Sequence, residues 1–96
     1  MRQSFFEIIS NRELAPRTYE MVLRGDCSEI TAPGQFVNIK LDGFYLRRPI
    51  SVCDVNGDIL TIIYKAVGKG TEVMAKMGAG EKLDVLTGLG CRLYRL

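Results

Sequence analysis

The 96 residues predict a small all-β protein, a six-stranded antiparallel Greek-key barrel with one short α-helix. Three observations lead there. Extended runs separated by turn residues recur at fairly regular intervals, as in a small sandwich or barrel. Asn56-Gly57, a dipeptide tolerant of positive φ, lies between two such runs and marks a hairpin. Gly68-Lys69-Gly70-Thr71 then leads into a short helical pattern. Closing six strands on themselves is the simplest way to leave few exposed edges.

Phe5 to Ser10 forms a plausible first strand. From Thr18 to Arg24, Tyr19, Met21 and Leu23 alternate with Thr18, Glu20 and Arg24, the period of a strand with one buried face. Pro33-Gly34 makes a turn, Gln35 to Leu41 places Val37, Ile39 and Leu41 on one side, and Asp42-Gly43 ends that run. Tyr45 to Asp54 and Ile59 to Lys65 flank the Asn56-Gly57 turn, and Ile59 to Tyr64 is apolar enough for a central strand. Thr71 is placed to cap a helix from Glu72 to Met77, ended by Gly78, with Val73, Met74 and Met77 facing inward. Glu72 near its start and Lys76 near its end suit the helix dipole. Lys82 to Leu86 closes the sheet.

The composition, 47% apolar and 25% charged, is that of one domain, and a chain this long buries roughly 60 to 70% of its unfolded surface. A net charge of +2 without a clustered basic stripe argues against nucleic acid. Cys27, Cys53 and Cys91 are odd in number and too far apart for a CxxC pair, so neither a disulfide framework nor a zinc knuckle is indicated. The absence of histidine removes the Ser-His-Asp and Cys-His nucleophile arrangements. Any chemistry then falls to an organic cofactor. No apolar run has the length of a signal-peptide core or a membrane span, so a cytoplasmic protein without membrane attachment is expected.

The chemistry-bearing segment is Arg47-Arg48-Pro49-Ile50-Ser51-Val52. Adjacent strand arginines are as readily solvent-facing as functional, and alternation lets only one of them face a given site. Arg48 is the better candidate, sharing a face with Ile50, and its guanidinium fork matches phosphate oxygens. Ser51 offers a hydroxyl that either bonds a neighbouring carbonyl or addresses a heteroaromatic ring. Gly68 and Gly70 either relieve a tight connection or let a turn approach a diphosphate. Tyr64 reads as a barrel residue.

At these residues the chain resembles the flavin-binding domain of the ferredoxin-NADP reductase superfamily, in particular its branch of electron transfer subunits of NAD-dependent dihydroorotate dehydrogenases. Leu46 to Val52, Ile63-Tyr64-Lys65, Gly68 to Thr71 and Gly80 to Leu86 carry the resemblance, which runs from about residue 3 to Gly90. It implies an FAD-binding barrel over residues 1–90. Arg48, in the position of the Arg-x-Tyr-Ser arginine, would bind the FAD diphosphate, and Ser51 would lie near flavin N5. Pro49 and Ile50 belong to the same motif, with Ile50 replacing a ring-stacking tyrosine by aliphatic packing. Ile63, Tyr64 and Lys65 match the strand lining the adenine-side or ribityl portion, and Gly70 and Thr71 the turn that holds the diphosphate.

The implied partners are NAD(H) and a dihydroorotate dehydrogenase catalytic subunit of pyrimidine biosynthesis. The alternatives are the related subunit of an NADPH-ferredoxin oxidoreductase or sulfhydrogenase, and a cofactor-free barrel acting as an interaction module. Beyond Gly88-Leu89-Gly90 the family continues into a nucleotide-binding domain and cysteines for a [2Fe-2S] cluster, whereas here residues 91–96 form an atypical tail in which Cys91 cannot replace four thiolates. The sequence therefore reads as truncated, a frame-shift or a cut domain, and these 96 residues alone are not expected to oxidise NADH at an enzymatic rate.

Overall fold

The computed structural model describes residues 2–28, 30, 35–41 and 48–87, with backbone alone for 2, 3 and 48. Its elements run β1 (Arg2–Ala15), β2 (Thr18–Arg24), β3 (Phe36–Lys40), β4 (Arg48–Asn56), β5 (Ile59–Lys65), α1 (Lys69–Ala75) and β6 (Lys82–Thr87). The strands close in the order β1-β2-β5-β4-β3-β6, every neighbouring pair antiparallel. β3, β4 and β5 follow one another as a meander, and β2 lies against the far side of β5, which is the Greek-key connection. The all-β barrel read from the sequence is the observed fold.

Alternation builds the core. Met21 and Leu23 of β2, Val37 and Ile39 of β3, Leu60 and Ile62 of β5, and Leu83 and Val85 of β6 all turn inward with at most 2% exposure. They meet Phe6 and Ile8 of β1 and Met74 of α1 in one apolar cluster. At roughly 1.5 to 3 kcal/mol for each large side chain taken out of water, this cluster is the main favourable term holding the barrel. Gly57 takes φ 64° in the Asn56-Gly57 hairpin, the backbone state that turn needs.

Besides shifts of one to three residues at the start of β1, both ends of β3 and the end of β6, four boundaries differ from the sequence reading. β1 continues to Ala15, because two bulges, between Ile8 and Ser10 and between Glu13 and Ala15, break the alternation while the pairing with β2 goes on. α1 begins three residues before the expected Glu72, with Gly68 and not Thr71 at the N-cap. Thr71 works backward from the third helical position. Its hydroxyl accepts from the N–H groups of Val67 and Gly68 and donates to the Gly68 carbonyl, each at 3.1 Å, the reciprocal half of a capping box. Third, α1 ends at Ala75, with Lys76 as the C-cap, before the Met77 and Gly78 expected to finish it. On its inner side Met74 is fully buried and Met77 packs against the core, whereas Val73, also expected to face inward, is 38% exposed. Fourth, β4 runs on past Asp54 to Asn56. The expected Pro33-Gly34 and Asp42-Gly43 turns, the segment from Tyr45 to Arg47, and residues 88–96 including Cys91 lie outside the described residues.

Candidate functional site

The pairing between β4 and β5 starts at Asn56↔Ile59 and ends at Val52↔Ile62. Beyond that point Arg48 to Ser51 pair with β3, and Ile63 to Lys65 with β2. The Val52 amide donates to the Gln35 carbonyl on the β3 side, at 2.7 Å. Because hydrogen-bonded and non-bonded pairs alternate along an antiparallel ladder, Ile50 and Arg48 also direct their backbone groups to β3, while Ser51 and Pro49 direct theirs toward β5. Pro49 has no N–H to offer there, and Ser51, which has one, already lies beyond the last β4–β5 pair. The same alternation applies to β5. The Ala66 amide donates to Arg17 at 2.8 Å, so Tyr64 turns its backbone groups to β2, whereas Ile63 and Lys65 turn theirs to the β4 side.

Around this ladder end the structure sorts the residues singled out in the sequence. Pro49, Ser51, Ile63 and Lys65 are exposed on the outer face. Ile50, 8% exposed, and Tyr64, 4% exposed, point into the core, with their backbone groups turned to β3 and β2. Arg48 opens β4 opposite Ile39, with its backbone alone described. Gly70 is buried and Thr71 half-buried in the first turn of α1, reached from Lys65 through Ala66, Val67 and Gly68.

Tyr64 is tied inward by a network that the sequence reading did not anticipate. Its hydroxyl donates to Asn11 Oδ1 at 2.8 Å, and Asn11 Nδ2 donates to the carbonyls of Met74 and Met77 at 2.8 and 2.9 Å. Two carbonyls can be met only by the amide nitrogen, which fixes the Asn11 orientation and leaves its oxygen for the tyrosine. The bulge at Ile9 turns Asn11 inward: Ile8 opposes the buried Leu23, and after one extra residue Asn11 opposes the buried Met21. Tyr64 also stacks on Tyr19, ring centroids 5.7 Å apart. Burial pushes the Tyr64 phenol up to about 12, with Tyr19 adding to the rise. One sign was available in the sequence: asparagine is depleted in strands, so one inside an extended run asks for a reason.

Ser51 is exposed on β4, Ile63 and Lys65 are exposed on β5 with their main-chain groups turned to the β4 side, and Lys69 is exposed in the first turn of α1. That chemistry fits a planar heteroaromatic ring with carbonyl acceptors joined to an anionic tail. Among the described residues no group of three or more His, Cys, Asp or Glu side chains could hold a metal ion. Nor is any helix there long and apolar enough to cross a membrane.

The barrel is of the class found in the flavin domains of the ferredoxin-NADP reductase superfamily. It superposes with TM-score 0.78 and 26% identity on a structure of the NADH-dependent reduced ferredoxin-NADP oxidoreductase, covering 88% of this chain and 32% of that one. A ferredoxin NADP+ reductase from Neisseria gonorrhoeae with bound FAD and NADP gives a TM-score of 0.72 at 20% identity, over 90% of this chain and 37% of that one, and supports the fold.

By sequence the chain is a homologue of the electron transfer subunits of dihydroorotate dehydrogenase B (NAD(+)). It is 45% identical over 94 residues to the subunit from Enterococcus faecalis strain ATCC 700802 / V583, 93% of this chain and 36% of the relative. It is 43% identical over 96 residues to that from Bacillus mycoides strain KBAB4, 94% of this chain and 37% of the relative. The chain thus spans about a third of the length of the curated relatives it matches. No protein-family model matches it.

Proposed function

We propose that this chain is the FAD-binding barrel of an electron transfer subunit that passes electrons between NAD(H) and a dihydroorotate dehydrogenase catalytic subunit in pyrimidine biosynthesis. The observation that carries this reading is the 45% identity over 93% of the chain to subunits of that name. The ferredoxin-NADP oxidoreductase likeness, at 26%, is weaker and ranks as the second assignment. The donor set at the β4–β5 ladder end supports a bound flavin over a cofactor-free interaction module.

In this reading the isoalloxazine lies over the outer face of β4 and β5, with Ser51 near N5 and the main chain of Ile63 and Lys65 supplying ring or ribityl contacts. Arg48, with Gly70 and Thr71 in the first turn of α1, serves the diphosphate. Ile50 and Tyr64 hold the wall behind the ring. A bound flavin accepts a hydride and releases electrons singly, and the chain's own residues hold it, orient it and set its electronics. A [2Fe-2S] cluster belongs to the proposed assembly but would draw its ligands from elsewhere.

The test is the visible spectrum of the purified protein with mass spectrometry of any released ligand, followed by co-purification with a dihydroorotate dehydrogenase catalytic subunit. A yellow protein that releases FAD supports the proposal. A colourless protein that cannot be reconstituted with FAD overturns it.

A further inference from the structure

We infer that Asn11 is a positioning residue for the flavin site, setting the place of the Gly68–Thr71 turn relative to strand β5 through its bonds to Tyr64 and to the carbonyls of Met74 and Met77; this rests on the flavin reading above. α1 has only seven residues, too short to hold a shape or place without tertiary support. Its apolar anchoring to the barrel comes chiefly from the buried Met74 and the half-buried Met77. A methionine side chain is flexible and specifies orientation poorly. Directional bonds are therefore needed to fix how the helix sits, and Asn11 provides them.

Its amide hydrogens take the carbonyls of Met74, in the last turn of the helix, and of Met77, just past it; the Met74 carbonyl also accepts from the Met77 amide at 3.1 Å. Its oxygen takes the Tyr64 hydroxyl. Tyr64 stands between Ile63 and Lys65, the outward residues of β5, and Met74 lies three residues beyond Thr71 in α1. One side chain on β1 thus holds the two elements assigned to the ribityl and diphosphate parts of a single ligand. The Ile9 bulge that aims Asn11 inward is secured in turn: the Ile8 amide donates to Glu81, and the Ile8 carbonyl accepts from Gly80, both at 2.8 Å.

Asn11→Asp tests this with almost no change in volume. A carboxylate can accept from Tyr64 but presents only oxygens to the Met74 and Met77 carbonyls, so the hold on α1 is lost while the hold on β5 is kept. The measurements are fluorescence titrations with FAD and with riboflavin, which lacks the diphosphate. The expected result is about a tenfold or greater loss of FAD affinity with riboflavin affinity within about twofold of wild type. A role in general stability would move both ligands together, so parallel losses overturn the inference, as does FAD affinity equal to wild type.

Asn11→Ala serves as the second variant if Asn11→Asp does not fold; it removes the bonds to both elements, so FAD affinity should fall further than riboflavin affinity, and equal losses overturn the inference. Should the wild-type chain bind neither flavin, the flavin reading itself falls. Hydrogen exchange then judges the hold on α1. Faster exchange of α1 amides with β1 and β5 unchanged in Asn11→Asp supports it, and unchanged α1 exchange overturns it.

Discussion

The rings of Tyr19 and Tyr64 stack with their planes 16° apart where β2 and β5 lie directly opposite, and the Tyr64 hydroxyl carries this pair into the half-buried Asn11 network. The Tyr64 phenol, raised to about 12 chiefly by burial, stays neutral throughout the range in which an unfolded tyrosine would ionise. Because the folded value lies above the unfolded one, the stabilisation is complete below about 10 and is lost as pH climbs toward 12. Urea melts from pH 8 to 12 should show stability falling over that upper window, and Tyr64→Phe should flatten the fall. An equally steep fall in the variant would assign the alkaline transition to other groups.

Gly25 lies against the ring of Phe6. A Cβ at Gly25 would come within 2.7 Å of Phe6 Cγ and Cδ2, and Phe6 is fully buried with no room to withdraw. Gly25→Ala should therefore destabilise the barrel by about 1 to 3 kcal/mol through overpacking. Phe6→Leu should recover part of that cost in the double variant, a coupling measured by a thermal or urea double-mutant cycle. Strict additivity would show that the strain is relieved elsewhere.

Cys27 and Cys53 should differ sharply in reactivity. Cys53 is exposed at the β4 bulge, whereas Cys27 is 7% exposed. Burial, reinforced by Asp58 and Asp26, pushes the Cys27 thiol up and keeps it protonated. The nucleophile in alkylation is the thiolate. Iodoacetamide at pH 8, with sites mapped by peptide mass spectrometry, should modify Cys53 in the folded protein and Cys27 only after denaturation. Equal rates at the two sites in the folded state would contradict the buried placement.

Where alternation was clean, in β2 and β3, the inward faces could be read from the residues directly and the strand limits to within one residue. The long second half of β1 could not, because bulges at Ile9 and near Leu14 shift which residues face inward and hide the period. The helix start was misread because threonine is a common N-cap and Gly70 looked like part of a turn, yet Gly70 is buried inside the helix. The motif residues of β4 and β5 were visible as a set. Asn11 was not, since its partners lie 53 to 66 residues further along the chain and only the closed barrel brings them together.

Arg48→Ala should weaken FAD binding by about 1.5 to 3 kcal/mol if a charge-assisted contact to phosphate is lost. Ser51→Ala should leave affinity nearly intact and move the midpoint potential of the bound flavin, since its exposed hydroxyl is assigned to the ring and not to the diphosphate. Fluorescence titration and spectroelectrochemistry separate the two effects. An unchanged potential with intact binding would return Ser51 to a surface role.

The β4–β5 ladder ends at Val52↔Ile62, three residues short of Pro49, and replacing Pro49 tests whether its missing N–H helps keep the two strands apart beyond that point. Pro49→Ala restores an N–H on the side of β4 facing β5, where alternation also directs the Lys65 carbonyl. One new hydrogen bond contributes about 0.5 to 1.5 kcal/mol, and the freer unfolded chain offsets about 0.4 to 1 kcal/mol of it. Stability should therefore change by less than about 1 kcal/mol. Flavin affinity should fall, because main-chain groups that serve the ligand would be satisfied within the sheet. Hydrogen exchange offers the independent readout: the new amide at position 49 should be protected in the free protein. A fully exchanging amide together with unchanged FAD affinity would show that the ladder ends for a reason other than the proline.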